Sequence, residues 1–148
     1  MAEGVEVKVV KTVTIPQGIS ALIAFKASAS LDANIRAMDI AVSGVKTLAV
    51  TRAVKNADIG DIHVKRKQYI GLVDNDLRYA KDSAKDCLFA LANEIRDREI
   101  ITLYYGKGVK QDEAEDVADV LRRVLSPDTE VSVVSGNQPI YTYLISAE

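Results

Sequence analysis

The sequence predicts an α/β (α+β) domain, a mixed sheet with packed helices and a small antiparallel meander in the middle of the chain. Three observations predict it. The segment Glu99 to Glu148 reads strand, glycine turn, acidic helix, strand, tight turn, strand. Residues 46–80 are short β-rich runs punctuated by turn residues, Asp74-Asn75-Asp76 foremost. Other segments repeat their apolar residues at helical spacing, as helices packed on one face do.

Val5 to Val13 alternates with a β-branched bias and reads as a strand. Ile15-Pro16-Gln17-Gly18 ends it and opens a short helix, since proline suits a first turn where its missing donor has no partner anyway. Ile19 to Phe25 is almost wholly apolar, so this helix is expected to be buried on most sides. After the break Ser28-Ala29-Ser30, Ser30 caps a second helix with Leu31, Ile35, Met38 and Val42 on one face and Gly44 as its stop. The strands Thr47–Thr51, Ile59–Val64, Tyr69–Val73 and Leu77–Tyr79 make the meander. Asp82 or Ser83 caps a third helix with Ala84, Leu88, Leu91 and Ile95 on one side. Then come the strand Ile100–Tyr105, a helix from about Gln111 to Leu125, and the strands Glu130–Val134 and Ile140–Ser146. The fourth helix has Asp112 and Glu113 at its start and Arg122 and Arg123 at its end, as the helix dipole favours.

The length, 148 residues, suits one sheet-plus-helices core. A net charge of −2 gives no reason to expect nucleic acid. The charge is uneven: residues 1–72 hold ten Lys/Arg against six Asp/Glu, and residues 73–148 hold nine against fifteen. Such asymmetry can orient a partner. With Cys87 alone, no internal disulfide forms, which fits a reducing, cytoplasmic location. No apolar run approaches a membrane span, and the acidic start Met1-Ala2-Glu3-Gly4 does not read as a signal peptide.

The residues that could carry chemistry have simpler explanations. His63 is the only histidine and has no cysteine beside it, so no metal site follows, and it reads as part of an exposed hairpin. Cys87 falls on a helical face, where an inert buried thiol is expected. Tyr105-Gly106-Lys107-Gly108 resembles part of a phosphate loop but lacks its spacing, and the acidic helix that follows repels phosphate. Asp74 and Asp76 serve a turn. Lys65-Arg66-Lys67 reads as a solvated hairpin edge. These residues imply no catalytic group and no cofactor.

Three segments together resemble one family: Thr12 to Phe25 with its I-P-Q-G-I-x-A-L-x-A-F pattern, Gln68 to Asp74, and Ile101 to Gly106 followed by the acidic helix and Gly136 to Ser146. They resemble the C-terminal region of the large dihydroxyacetone-kinase-L-domain-containing proteins, the A subunit of fatty acid kinase and its relatives. That resemblance implies a DegV-like second lobe. It also implies a parent protein that works as the ATP-dependent kinase component in fatty acid phosphorylation, its kinase chemistry in a separate N-terminal domain, and a DegV-like fatty-acid-binding protein as partner. The chain starts late in the family pattern. The expected division is therefore 1–27, a remnant strand and helix of a preceding lobe, and 28–148, a compact α/β domain, in a truncated piece of a longer protein.

DegV-type lipid binders carry a histidine in the turn that corresponds to Ser135-Gly136-Asn137-Gln138-Pro139. None stands there, and an acyl carboxylate would lose a charged partner worth about 1.5–3 kcal/mol, leaving Gln138 as a hydrogen-bond donor. The expectation is a non-catalytic interaction domain docking the DegV-like protein through Tyr105, Gly106 and Lys107, through Gly136, Gln138, Pro139 and Tyr141, and through the basic hairpin Lys65, Arg66 and Lys67. The alternatives are direct binding of a fatty acid or anion, a phosphatase-like enzyme, and self-association as a homodimer through an exposed strand.

Overall fold

The structure, a computed structural model, describes residues 4–148. The acidic start read as no signal peptide lies largely outside the described residues. The chain divides by compactness into two units, Met1–Val45 and Lys46–Glu148.

In the first unit, α1 spans Ile15–Ala24 and α2 spans Leu31–Gly44. Thr14 and Gln17 cap α1 reciprocally: Gln17 N–H donates to Thr14 Oγ1 (3.4 Å), and Val13 N–H donates to Gln17 Oε1 (2.9 Å). Ser30 caps α2 through Ala33 N–H at 3.2 Å. Buried Asn34 locks the turn between the helices. Its Oδ1 accepts from Lys26 N–H (2.8 Å), and its Nδ2 donates to the carbonyls of Lys26 (2.9 Å) and Ala29 (3.4 Å).

Two expectations fail in this unit. Val5–Val13 is not a strand. Its alternation is suited to a sheet, but among the described residues no strand pairs with it, and Val7 and Val9 are exposed. Nor is α1 buried on most sides: Leu22 is 72% and Ile23 78% exposed. In a unit of two helices, only one stripe of α1 can face α2, so the apolar residues off that stripe stay open.

The second unit contains β1 (Lys46–Arg52), β2 (Ala57–Ile59), β3 (Ile62–Val64), β4 (Tyr69–Val73), β5 (Asp76–Lys81), α3 (Ala84–Leu91) with a 3₁₀ turn (Ala92–Ile95), β6 (Ile100–Tyr105), α4 (Gln111–Val124), β7 (Glu130–Ser135) and β8 (Tyr141–Ala147). Six strands form a mixed sheet in the order β5-β4-β1-β8-β6-β7, and β2–β3 is a separate antiparallel pair. Only β6 and β7, joined by α4, run parallel. The expected meander is thus largely absorbed into the main sheet. Its run Ile59–Val64 is two strands rather than one, because Gly60, at φ +58°, turns the chain back.

The β4–β5 hairpin closes through Asp74 and Asn75, both at positive φ (48° and 73°), as a two-residue turn matching strand twist requires. Asp74 also fixes the register of β1. Its Oδ1 accepts from Thr47 N–H and its N–H donates to Thr47 O, both at 2.8 Å.

Helices α3 and α4 cover one face of the sheet. Leu88, Leu91, Val117 and Leu121 pack there against Leu48, Val50, Ile101, Leu103 and Ile145. Cys87 is fully buried in this layer, and burial pushes its thiol up to about 11. A Cβ on Gly71 would lie 2.8 Å from its sulfur, so the missing side chain makes room for the thiol.

Candidate functional site

Strands β1, β6 and β7 end, and β4 and β8 begin, at the same end of the sheet. With strands about 4.8 Å apart, the loops at this end form a rim about 20 Å long from β4 to β7. The residues expected to dock a partner lie on it or on the strand ends beside it: Lys65, Arg66 and Lys67 before β4, Tyr105, Gly106 and Lys107 at the end of β6, and Gly136, Gln138, Pro139 and Tyr141 between β7 and β8.

The two loops after β6 and β7 lock into each other. Gly106 N–H donates to Thr142 O (2.9 Å), Lys107 N–H to Gln138 O (2.8 Å), and the N–H groups of Gly136 and Asn137 both donate to Tyr105 O (3.0 and 3.2 Å). Gly106 is buried where no other residue fits, since a Cβ would lie 2.2 Å from Tyr141 O and 2.9 Å from Gln138 O. The Gln138 amide, expected to be available to a ligand, instead donates to Tyr104 O at 3.0 Å. These bonds tie the two loops together, and Lys107, Pro139 and Ile140 face solvent.

The neighbouring basic turn is equally fixed. Lys67 N–H donates to Ala53 O (2.8 Å), Ala53 N–H to Gln68 O (2.8 Å), and Arg66 N–H to Asn56 Oδ1 (2.7 Å). Arg52 lies over the Tyr69 ring, 5.5 Å from its centre, and donates from Nε to Lys67 O at 3.1 Å. Thr51 Oγ1 donates to Ile140 O (2.8 Å), which ties this half of the rim to the other. His63 is exposed on the β2–β3 hairpin, and its Nδ1 meets Asp58 Oδ1 at 2.6 Å.

The sequence reading missed a groove beside the rim. The β2–β3 hairpin stands over the sheet face opposite α3 and α4, leaving an open volume of about 500 Å³ floored by Ile70, Leu72 and Leu77. Arg52 and Lys55 lie at one mouth, and Asn75 and Asp76 at the other. Its lining comes from five strands and two loops, which meet only once the hairpin folds over the sheet, so no local pattern signals it.

The family model for the C-terminal region of FakA-like proteins, those like the A subunit of fatty acid kinase, matches residues 1–148. Among curated proteins, two uncharacterized proteins of Staphylococcus aureus, from strains bovine RF122 / ET3-1 and USA300, are 33% and 32% identical over 145 residues. Each match covers 97% of this chain and 26% of the relative, so the chain spans about a quarter of the length of these relatives. Among solved structures, a DegV family protein from Corynebacterium glutamicum is similar at TM-score 0.57 and 13% identity, covering 88% of this chain and 57% of that one. A DegV family protein from Ruminococcus gnavus, described with vaccenic acid, is similar at TM-score 0.55 and 12% identity, covering 89% and 54%. At these identities the likeness concerns the fold, and the fold is DegV-like.

Proposed function

From the premise that the chain belongs to the FakA-like C-terminal family, we propose that it is a docking domain for a DegV-like fatty-acid-binding protein. It would work within a longer polypeptide whose kinase chemistry is ATP-dependent and located elsewhere. The observation that carries this reading is the rim. Backbone hydrogen bonds tie its loops to one another, which fixes a surface of defined shape and leaves the charged side chains facing outward. Such a surface is preorganised, so association costs little ordering of its loops. The R. gnavus protein described with vaccenic acid supports a lipid context for proteins of this fold. Here the turn before β8 contains Gln138 rather than a cation, and its amide is already engaged.

The test is direct binding. Residues 1–148 are titrated with an oleate-loaded DegV family protein encoded in the same genome and followed by calorimetry. Saturable binding at micromolar concentration or tighter is expected. Absence of binding to any acyl-loaded DegV partner would reject docking as the role.

A further inference from the structure

The groove and the basic turn form one continuous surface, and its chemistry indicates what would fill it. Its floor is apolar, formed by Ile70, Leu72 and Leu77, with Val64 behind. At its lip, Ile59 is 53% and Val54 83% exposed. Single exposed hydrophobic residues are ordinary, but these two border a recess whose floor is also apolar. One mouth carries Arg52 and Lys55, and hydrogen bonds from the turn to Ala53 and Asn56 bring Lys65, Arg66 and Lys67 alongside. Among the described residues none of these cations forms an ion pair. Of the nearby acids, Asp58 meets His63, Asp82 accepts from the Gln68 amide at 2.8 Å, and Asp76 lies at the far mouth, away from the cations.

We infer that this groove with its cationic mouth seats the partner, and that the partner's contact is an acidic segment with apolar side chains. The carboxylates meet Arg52, Lys55 and the Lys65–Lys67 turn, while the apolar side chains lie along Ile70, Leu72 and Leu77. This rests on the docking reading and narrows it to one surface and one chemistry. Charge complementarity identifies the occupant, because clustered cations without counter-charges attract an anionic surface and speed encounter. The apolar floor then supplies the contact that slows dissociation. The floor is recessed behind the β2–β3 hairpin, so a protruding side chain reaches it and a flat lipid surface does not.

The experiment compares wild-type residues 1–148 with Ile59→Glu, with Lys55→Glu/Arg66→Glu, and with Glu130→Lys at the opposite end of the sheet. Each is titrated with the same oleate-loaded DegV family protein at low and high salt. All the substituted positions are exposed, and far-UV circular dichroism verifies the fold of each variant. Ile59→Glu is expected to weaken binding at least about tenfold. The double charge reversal should do the same at low salt and remove most of the salt dependence, and Glu130→Lys should stay within about twofold. If wild type binds and both groove variants bind equally well, the inference is overturned and docking stands. If wild type does not bind at all, both fall. If Ile59→Glu instead abolishes self-association of the chain, the groove belongs to a second copy and the inference is overturned.

Discussion

Gly106→Ala tests whether the interlocked loops hold the second unit together. The new methyl would lie 2.2 Å from Tyr141 O, 2.9 Å from Gln138 O and 3.3 Å from Thr142 O. All three are backbone atoms, so no side chain can swing away. Restoring van der Waals contact needs a separation of about 3.4 Å, which moves the end of β6 from the start of β8 by more than an ångström. That displacement stretches the Gly106–Thr142 and Lys107–Gln138 hydrogen bonds, now 2.9 and 2.8 Å, beyond useful length. Two net backbone bonds at about 1 kcal/mol each, plus overpacking strain of at least about 1 kcal/mol, give a loss of about 3 kcal/mol. For a unit of this size, that lowers the melting temperature by about 12 °C. Urea denaturation followed by far-UV circular dichroism measures it. Gly18→Ala, inside α1 with nothing near its Cβ position, is the control and should stabilise its helix by up to about 1 kcal/mol. If Gly106→Ala stays within about 1 kcal/mol of wild type, the account of the interlocked loops is wrong.

Asn34→Ala takes the partner from Lys26 N–H and from Ala29 O, while Lys26 O keeps its bond from Ala29 N–H. It should cost about 2 kcal/mol in the first unit, visible as faster hydrogen exchange at the Lys26 amide while the β1 amides keep their protection. Cys87 should resist iodoacetamide at pH 8 until denaturant is added, since its thiol is fully buried. Burial holds the folded thiol at about 11, above its ordinary value of 9.0, so the folded state binds that proton more tightly. Stability from this source is fully present below pH 9 and is lost as pH rises toward 11. Burial also pushes Tyr143 up to about 12, which extends the loss to higher pH. Denaturation midpoints at pH 8, 9.5 and 10.5 should therefore fall in that order, and a flat profile would contradict both assignments. Asp74→Ala removes the acceptor of Thr47 N–H and should destabilise the second unit by about 1–2 kcal/mol, whereas Asp76→Ala, whose carboxylate is exposed, should change it little.

The segments read correctly from the sequence are those where period and punctuation agree. β4 and β6 fall at the expected residues, and α4 starts at Gln111, because turn or charged residues bound each run. Val5–Val13 carries strand alternation, but a strand also needs a neighbour, and alternation says nothing about one. The apolar run Ile19–Phe25 indicated a helix but not how much partner surface its unit could offer. Asn34 escaped notice because its partners are backbone groups, which leave no trace in residue identity. For the candidate site, the sequence marked the turns; that they share one end of the sheet depends on strand order, which no local pattern encodes. The Gln138–Tyr104 bond and the groove are likewise tertiary, the latter formed within residues 52–77 only when the β2–β3 hairpin folds over the sheet.

Strand β8 lies between β1 and β6, hydrogen-bonded to both. The sheet therefore cannot be assembled in the order in which its strands leave the ribosome. After β1, β4 and β5 have paired, β1 keeps an unpaired edge until residues 141–147 arrive, with α3, β6, α4 and β7 made in the interval. The late closure of this long-range pairing makes folding slow for a domain of this length and exposes a hydrophobic strand edge to other chains meanwhile. Nascent protein stalled before β8 should for that reason depend on chaperones far more than the finished polypeptide.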